Sequence, residues 1–471
     1  MVEGAPARVA VAVVGGGWAG CAAAVTLAAA GVQVTLFEQA KTLGGRARRV
    51  VVDGIALDNG QHVLLGAYRQ TFALIDAVHR AGDAGRFLYR MPLTLRPFGE
   101  RLRGEVELTA SNARAPLNLA GGVLRAKGLS WRERLGLFAD FRRAMKTTAP
   151  SADEAVTSRF SATPQRAFAQ VWQPLCLAAL NTPPDRASAN TFAHVLRSAF
   201  GGNARDSDVL VPTVDLSACF PDAAALFIGA HGGAVRCGVT VRGIANEGDH
   251  VSLGVGAAAE RFRAAIVAVG PHQLAATLGD SKKLPAGLGQ HLERTACLAY
   301  ESITTIYLGL AHRIPFAAPM LRLDDAPGHW AFDRSGVVAR GSPPGTSSLI
   351  AVVISGSGPH DRLDQRTLAA NVEGQLRRRM TGLPAITFSR VIAERRATYA
   401  CAPGLARPAA GRVGDALYVA GDYCDAELPA TLEAATRSGV AAAREVIADF
   451  AKGISAGFST AAAARGSTRA P

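Results

Sequence analysis

The stretch VAVAVVGGGWAGCAAAVTLAAAGVQVTLFEQAKTLGGR, residues 9–46, decides the fold of this chain. It opens with a continuous Val-rich run, which is typical of a strand buried on both faces of a parallel sheet. Gly15, Gly17 and Gly20 then form a G-x-G-x-x-G turn. The first glycine allows the tight bend, the second lets backbone approach a pyrophosphate, and the third lets the next helix pack closely on the strand. The pattern predicts a strand, a glycine turn and an Ala-rich helix that begins at Trp18.

A second strand and an acidic residue follow at the spacing of a nucleotide-binding unit. The strand is predicted from Gln33 to Phe37, and Glu38 lies about twenty residues beyond the glycines. A carboxylate at this point can accept hydrogen bonds from a ribose diol, while the N-terminus of the helix faces the phosphates. These elements together predict a βαβ unit that binds a nucleotide with a pyrophosphate.

A G-G-R turn, Gly44, Gly45 and Arg46, follows Glu38 closely. The pairing of an acid with this turn resembles the N-terminal fingerprint of the FAD-binding flavin amine oxidase and phytoene desaturase superfamily. The resemblance implies an α/β fold in which an FAD-binding Rossmann-like domain of the glutathione-reductase type is interleaved with an α+β substrate domain. It also implies that Arg46 faces the flavin or the phosphates.

Two later segments resemble FAD-binding parts of the same superfamily. A Gly-Gly turn at 232–233 precedes a strand in which Val241 is implied to meet the adenine through its backbone. Near the end of the chain, an apolar strand leads into Gly421 and Asp422. A helix then begins with small residues near Thr431 and Leu432, where backbone amides can approach the cofactor. The C-terminal motif lies nearly four hundred residues from Gly15, as the superfamily requires, and supports FAD as the cofactor.

The predicted domains are discontinuous. The FAD-binding domain comprises 1–68, 205–287 and 385–452, the substrate domain comprises 69–204 and 288–384, and 453–471 forms a disordered tail of Ala, Gly, Ser, Thr and Arg. Apolar runs at 251–255 and 262–269 predict paired strands beside the nucleotide-binding sheet.

Composition narrows the classes of partner and the location. The 471-residue chain has a net charge of +13, with 51 Lys and Arg of which six are lysines. Arginines are scattered and not interleaved with aromatics, so no nucleic-acid partner is expected. The seven cysteines form no C-x-x-C pair, which indicates reduced thiols and no metal site. No apolar run is long enough for a membrane span, and no signal peptide is expected. We expect a cytoplasmic protein whose positive charge favours peripheral contact with the inner face of the membrane.

Two further strings bear on the substrate. One is D-N-G-Q-H, from Asp58 through Gly60 to His62, followed by L-L-G-A-Y; the other is W-Q-P-L-C-L-A-A-L-N-T-P at 172–183. Both resemble the squalene-associated members of the superfamily, the hydroxysqualene dehydroxylases of hopanoid biosynthesis. Gly60 is then implied to lie close to the flavin, and His62 and Asp58 are the candidate acids. The second string is consistent either with core packing or with the lining of an apolar tunnel, and the same choice applies to Trp330 and Phe332.

The resemblance implies reduction of hydroxysqualene to squalene, with hydride from flavin N5 and a proton for the leaving oxygen. The electron donor is not identified by the sequence, and contact with upstream enzymes of the squalene pathway is expected. Three alternatives stay open: desaturation of squalene or a carotenoid precursor, amine oxidation, and non-catalytic isoprenoid binding. Many amine oxidases of this superfamily carry a lysine near flavin N5, whereas no lysine lies between Lys283 and Lys452 here.

Overall fold

The computed structural model describes residues 10–79, 84–100, 102–146, 153–248, 250–279, 285–338 and 345–466. Its strands, in chain order, are β1 Ala10–Val14, β2 Gln33–Glu38, β3 Arg49–Val52, β4 Ile55–Asp58, β5 Leu64–Leu65, β6 Leu88–Met91, β7 Thr94–Leu95, β8 Leu108–Thr109, β9 Val209–Pro212, β10 Ala234–Cys237, β11 Val241–Asn246, β12 Val251–Val255, β13 Ala258–Phe262, β14 Ala264–Val267, β15 Tyr300–Leu310, β16 Met320–Arg322, β17 Trp330–Asp333, β18 Ser348–Ser355, β19 Ile386–Tyr399, β20 Gly411–Arg412 and β21 Leu417–Val419. Its helices are α1 Trp18–Ala29, α2 Arg69–Val78, α3 Ala84–Phe87, α4 Leu117–Arg125, α5 Trp131–Lys146, α6 Val156–Arg159, α7 Gln165–Gln170, α8 Trp172–Leu180, α9 Ala189–Phe200, α10 Leu216–Cys219, α11 Pro221–Ala230, α12 Pro271–Leu278, α13 Ala286–Ala296, α14 Ser335–Val338, α15 Gln365–Arg379 and α16 Leu432–Gly466.

The N-terminal βαβ unit lies at the centre of a six-stranded sheet. The strand order is β10-β2-β1-β14-β21-β20, with the first five strands parallel and β20 antiparallel at one edge. Val11 and Val13 of β1 are fully buried, as expected for a strand covered on both faces. Helix α1 begins at Trp18 and β2 ends at Glu38, which confirms the predicted strand, turn, helix and second strand. The predicted α/β fold with a parallel sheet is confirmed.

The predicted pairing of 251–255 with 262–269 was wrong. Strand β12 lies between β11 and β13 in a separate three-stranded antiparallel sheet, and β13 ends at Phe262. After the single residue Arg263 the chain continues as β14, which lies between β1 and β21 in the parallel sheet. One apolar run therefore spans two strands of different sheets, because the connection is too short to contain a turn signal.

The second large sheet is antiparallel and has the order β16-β17-β18-β15-β19. Strand β15 pairs along nearly its whole length with β18 on one side and β19 on the other. The predicted boundary at 385 assigned β19 to the FAD-binding domain, whereas the structure places this strand in the sheet of the substrate segment. Its partner β15 lies about ninety residues earlier in the chain, so local sequence does not reveal the pairing.

Helices α2 to α9 fall within the segment 69–204. The first of them is tied to the last helix of the chain, because the Glu433 carboxylate accepts hydrogen bonds from the N–H groups of Gln70 (3.0 Å) and Thr71 (2.9 Å). The Trp172 ring at the start of α8 is 1% exposed and packs against Phe160, with ring centroids 5.1 Å apart. The beginning of α8 is therefore a packed core.

Helix α16 packs along α1 at close range. A Cβ at Gly439 would lie 2.1 Å from the carbonyl oxygen of Ala19, so only glycine permits this crossing. The sequence predicted a disordered tail from 453, whereas the helix continues to Gly466; its Ala-rich composition has a high helix propensity. Residues 467–471 lie outside the described residues.

Five of the seven cysteines are buried: Cys21, Cys176, Cys219, Cys401 and Cys424. Cys237 and Cys297 are exposed because they lie on the edge strand β10 and just after α13.

Candidate active site

A cavity of about 1040 Å³ lies where the two large sheets and helices α8 and α9 meet. Its volume is at the upper limit of ordinary small-molecule pockets, which are roughly 300–1,000 Å³. One part is lined by the glycine loops after β1 and β2, and another part by apolar side chains of the substrate segment. The cavity can therefore hold a dinucleotide and a second, apolar molecule.

The glycine turn after β1 is close-packed on one side and open on the other. Gly15 has a φ of +105°, and a Cβ there would lie 2.7 Å from the carbonyl oxygen of Ala268. A Cβ at Gly20 would lie only 1.8 Å from the carbonyl oxygen of Gly15, so this glycine brings α1 onto the turn. Gly17 lines the cavity, and a Cβ there would meet no atom within 4 Å. The N-terminus of α1 thus faces open space, where its N–H groups can bind an anion.

Glu38 both lines the cavity and holds the glycine turn. Its carboxylate accepts hydrogen bonds from the N–H groups of Gly16 (2.6 Å) and Ala40 (2.7 Å). A carboxylate has about four lone-pair positions, so these two bonds leave capacity for hydroxyl donors. Its binding to a ribose diol stays a prediction.

The G-G-R turn is joined directly to the glycine turn. The N–H of Gly44 donates to the carbonyl oxygen of Gly16 at 2.7 Å, and Gly44 forms a bridge with Gly17. A Cβ at Gly45 would lie 3.1 Å from the Cα of Gly17, so the two loops approach each other backbone to backbone. Both glycines line the cavity.

Arg46 connects the N-terminal loops to the C-terminal motif. Its guanidinium donates to the carboxylate of Asp422 at 2.7 Å and to the carbonyl oxygen of Ala397 at 2.7 Å. Arg46 and Asp422 both line the cavity. Motifs separated by 376 residues in sequence are therefore in direct contact.

The other predicted C-terminal residues lie at the same wall. Gly421, Thr431 and Leu432 line the cavity, and the hydroxyl of Thr431 accepts from the N–H of Ala434 at the start of α16. The N–H of Gly421 donates to the hydroxyl of Ser438 at 3.0 Å, which fixes the turn against α16. A second helix N-terminus, that of α16, thus lines the cavity.

Val241 and Gly60 also line the cavity. Val241 begins β11 and is 5% exposed. Contact of its backbone with the adenine stays a prediction. Gly60 accepts a hydrogen bond from His62 through its carbonyl oxygen. The structure therefore brings to one cavity every predicted cofactor residue except Gly20, which packs behind the loop.

His62 faces the cavity from the segment between β4 and β5. Its Nδ1 lies 2.8 Å from the carbonyl oxygen of Gly60, and since a carbonyl only accepts, Nδ1 carries the hydrogen. Burial lowers the pKa of His62, and the charge of Arg46 lowers this pKa further. The neutral ring then presents Nε2 as an acceptor.

Asp58 does not line the cavity. Its carboxylate pairs with Arg334 at 3.0 Å and accepts from the N–H of Leu216 at 2.8 Å, and its carbonyl oxygen accepts from the Tyr307 hydroxyl. Burial raises the pKa of Asp58 to about 6 against the opposing effect of Arg334. The structure thus places Asp58 in a buried ion pair that joins the end of β4 to Arg334, just after β17, and outside the cavity lining.

The remaining lining is mostly apolar and comes from α8, α9 and the antiparallel sheet. Trp330 and Phe332 belong to it, which confirms the cavity interpretation of these two residues. In the string 172–183, the later part lines the cavity while Trp172 is core, so both interpretations of that string hold for different residues. The other large apolar side chains of this wall are Leu175, Leu177, Phe192, Val195, Leu196, Phe200, Ile303, Met320 and Val353.

Sequence reasoning missed a polar group contributed by β19 and α12. Glu394, Arg396 and His272 line the cavity. The guanidinium of Arg396 lies 5.8 Å from the ring centroid of Tyr300, and His272 meets the same ring edge-to-face at 6.0 Å. Strand β19 alternates partly buried and exposed residues, which is its only local signal, and that pattern is equally typical of a surface strand.

The described residues include no candidate metal site and no helix able to span a membrane. Among them, no three or more His, Cys, Asp and Glu side chains are grouped so that they could hold a metal ion. None of the helices in the described ranges combines the length and the apolar character needed to cross a bilayer.

The residues present fit an FAD molecule. Gly17 leaves an open cradle at a helix N-terminus, Glu38 retains acceptor capacity, and a second helix N-terminus lines the same cavity at Thr431. An extended dinucleotide needs such features at several points along one cavity.

Comparison with known proteins places the chain in a family. Residues 18–447 match the family model of flavin-containing amine oxidoreductases. The chain is 27% identical to hydroxysqualene dehydroxylase of Rhodopseudomonas palustris over 457 residues, covering 93% of this chain and 98% of the relative. It is 45% identical over 69 residues to hydroxyneurosporene desaturase of Rubrivivax gelatinosus, covering 14% of this chain and 13% of that protein. The crystal structure of an oxidoreductase from Methanosarcina mazei has a TM-score of 0.70 at 16% identity, covering 93% of this chain and 99% of the other. The chain therefore belongs to the flavin-containing amine oxidoreductase family and is an FAD-dependent oxidoreductase.

Proposed function

We propose that this enzyme reduces hydroxysqualene to squalene in hopanoid biosynthesis. The observation that carries the proposal is the continuity of the cavity, in which the nucleotide loops, His62 and a long apolar wall line the same space. An isoprenoid has few polar groups, so its affinity must come mainly from burial of hydrocarbon, at about 25 cal/mol per Å². Similarity to hydroxysqualene dehydroxylase over 93% of the chain supports the same substrate class.

The reaction replaces an allylic C–O bond by a C–H bond. Reduced FAD, when bound, supplies the hydride for that carbon. The oxygen must take up a proton to leave as water. The chain's own residues therefore have three tasks: they hold the cofactor, place the hydroxyl-bearing carbon beside it, and provide the proton.

We assign cofactor binding to the predicted residues as follows. Gly15 and Gly17 place the N-terminus of α1 against the pyrophosphate, with Gly20 supporting that helix. Glu38 binds a ribose diol and Val241 meets the adenine. The residues that would hold the rest of the cofactor are Gly44, Gly45, Arg46, Gly60, Gly421, Asp422, Thr431 and Leu432.

His62 is our candidate for the proton. In its neutral form Nε2 accepts a hydrogen bond from the substrate hydroxyl and orients the C–O bond. In its cationic form Nε2–H donates the proton to the leaving oxygen. The apolar wall meanwhile excludes water from the carbon that receives hydride, which strengthens electrostatic interactions within the cavity.

Asp58 has a supporting role rather than a chemical one. Its ion pair with Arg334, just after β17, and its carbonyl contact with Tyr307 of β15 hold β4 against the antiparallel sheet, and β4 leads into the segment that carries His62. We therefore assign it to positioning His62 rather than to proton transfer.

One alternative has an observation in its favour. The short match to hydroxyneurosporene desaturase supports desaturation of squalene or a carotenoid precursor. Amine oxidation is less well supported, because no lysine of the described residues lines the cavity. Non-catalytic isoprenoid binding is not supported, since the family is one of oxidoreductases.

The test is anaerobic incubation of the chemically reduced, FAD-loaded enzyme with hydroxysqualene. We expect squalene to appear in equal amount to the flavin that is reoxidised, as followed by absorbance and by mass spectrometry of the extract. The matched control is oxidised enzyme with squalene, in which flavin reduction would instead support desaturation. If the reduced enzyme forms no squalene and its flavin stays reduced, the proposal is wrong.

A further inference from the structure

Helices α4 and α5 carry an unusual set of exposed apolar side chains. Leu117 and Leu124 on α4 are 65% and 51% exposed, and Trp131 and Leu135 on α5 are 70% and 66% exposed. These are four of the nine large apolar side chains that are exposed in the described part of the chain. Such a concentration on two neighbouring helices marks an interaction site.

The four side chains share one surface, here called the α4–α5 surface. Leu117 and Leu124 are seven residues apart, and Trp131 and Leu135 are four apart, so each pair lies on one face of its helix. Arg134 joins the two helices, because its guanidinium donates to the carbonyl oxygen of Leu124 at 2.8 Å and lies 5.5 Å from the centroid of the Trp131 ring.

The charged residues of this surface are cationic. Arg125, Arg132, Arg142 and Lys146 are exposed. The acidic residues of 117–146 are Glu133 and Asp140, and both are buried. Glu133 pairs with Arg166 at 2.6 Å, and Asp140 accepts from the N–H of Thr163 at 2.8 Å. Within 117–146, the exposed apolar side chains are therefore combined with cations and with no exposed carboxylate.

The same helices form the outer layer of the cavity wall. On α5, the Phe141 ring packs edge-to-face on Phe200 of α9 with centroids 5.7 Å apart, and Phe200 lines the cavity. On α4, the Asn118 amide donates to the Ser207 hydroxyl at 2.8 Å, and Ser207 also lines the cavity. One layer of side chains thus separates the surface from the apolar end of the cavity.

We propose that the α4–α5 surface docks on a bilayer that contains anionic lipid. Trp and Leu side chains favour the boundary between headgroups and acyl chains, and Arg and Lys bind the lipid phosphates. An acidic protein partner would pair with the cations. It would also need a separate apolar pocket for Trp131 and the three exposed leucines, whereas a bilayer accommodates both kinds of side chain. The inference stands on this surface alone and does not depend on which isoprenoid the enzyme uses.

Trp131 supplies a direct probe. The other three tryptophans, Trp18, Trp172 and Trp330, are 3%, 1% and 4% exposed, so a change at an exposed tryptophan reports on Trp131. With phosphatidylcholine–phosphatidylglycerol vesicles we expect a blue shift of emission and quenching by brominated acyl chains. Vesicles of phosphatidylcholine alone should give much weaker signals. The Trp131→Phe variant should lose the signals while it still sediments with anionic vesicles.

Sedimentation of two double variants separates the apolar and charge contributions. Leu124→Ser with Leu135→Ser should weaken the partition coefficient about tenfold through lost apolar burial. Arg132→Glu with Arg142→Glu should lower the partition coefficient about thirtyfold, because each arginine removed takes away about 1 kcal/mol of attraction to anionic lipid. The matched control is Leu226→Ser on α11, because Leu226 is 77% exposed but lies outside the surface.

Three outcomes would overturn the proposal: equal binding to neutral and anionic vesicles, an equal loss in the Leu226 variant, or a concentration-dependent dimer that the same double variants abolish. Turnover in detergent micelles checks that the double variants are folded and should be unchanged.

Discussion

The two ends of the cavity are lined by different groups: backbone atoms of the glycine loops at the nucleotide end and apolar side chains at the other end. At the nucleotide end, main-chain atoms are closely packed. A Cβ added at Gly20 would lie 1.8 Å from the carbonyl oxygen of Gly15, and one added at Gly44 would lie 2.8 Å from the carbonyl oxygen of Ala47. At the apolar end, the wall consists of side chains such as Phe332 and Val353, which tolerate exchange by similar apolar groups. One end is determined by backbone geometry and the other by side-chain volume.

The difference explains what each end can specify. A backbone cradle binds the same phosphates in any chain that forms it, so it identifies the cofactor. An apolar wall offers few directional contacts, and one methylene changes affinity by only about 1–3 kcal/mol. The substrate must therefore be recognised by length and by the polar groups at the junction, where His62 lies.

The largest expected effect is at the nucleotide end. Gly20→Ala would push α1 away from the glycine turn and destabilise the fold by about 1–3 kcal/mol, and we expect the purified variant to retain little FAD. The flavin-to-protein absorbance ratio measures this. The matched control is Gly229→Ala, in which a Cβ on helix α11 meets no atom within 4 Å and FAD content should be unchanged. Full FAD occupancy in the Gly20 variant would contradict the close-packing argument.

The second effect is at the junction. His62→Gln should lower turnover about 100-fold, which is the lower range for loss of an acid, while FAD stays bound. Because burial lowers the pKa of His62, its cationic fraction falls tenfold for each pH unit above that pKa. Turnover of the unmodified enzyme should therefore rise as the pH falls towards the lowered pKa, and the variant should lack this slope.

The control for this prediction is His231→Gln. The Nδ1 of His231 also lies 2.8 Å from a backbone carbonyl oxygen, that of Phe227, but the residue is exposed and outside the cavity. Its pH profile should match that of the unmodified enzyme. A His62 variant with an unchanged slope would remove His62 from the proton transfer.

A smaller effect is expected where the two ends of the chain meet. Asp422→Asn keeps the shape of the side chain but weakens its bond to Arg46, and we expect the dissociation constant of FAD to rise about tenfold. Titration of the apoprotein with FAD measures it. Glu373→Gln is the control, since its 2.7 Å pair with Arg377 lies on the exposed side of α15. If both variants bind FAD equally well, the Arg46–Asp422 contact does not organise the site.

The smallest effect is expected at the apolar end. Val353→Thr places a hydroxyl in the wall at nearly constant shape and should raise KM for the isoprenoid about fivefold, from the roughly 1 kcal/mol cost of an unpaired hydroxyl. FAD content should not change. Val51→Thr is the control, because Val51 is 68% exposed. A loss of FAD in the Val353 variant would show that the two ends are not separable.

The same comparison shows how much could be predicted from the sequence. The glycine loops and the strands beside them were identified because a forced backbone conformation needs particular residues at fixed spacing. Strand β1, helix α1 and strand β2 were therefore predicted to within a residue or two. Gly17, Glu38 and Arg46, which were predicted to face the cofactor, line the cavity for the same reason.

The remaining features depend on partners that are distant in sequence. The resemblance implied that the string beginning at Asp58 lies near the flavin, but the Asp58 carboxylate pairs with Arg334, 276 residues later in the chain. The string alone could not show that this carboxylate already has a partner. Strand β14 was misassigned because its neighbours β1 and β21 lie far away in the chain. Arg396 and Glu394 reach the cavity only because β19 pairs with β15. No local pattern carries that information.

The contact between Arg46 and Asp422 has a consequence for biosynthesis. During translation the glycine turn and the G-G-R loop leave the ribosome well before Asp422, Thr431 and α16. Helix α16 also supplies Glu433, which holds the start of α2. A nascent chain that lacks Asp422 and α16 therefore presents only part of the cavity wall, because the partners of Arg46 and of the start of α2 have not yet been synthesised.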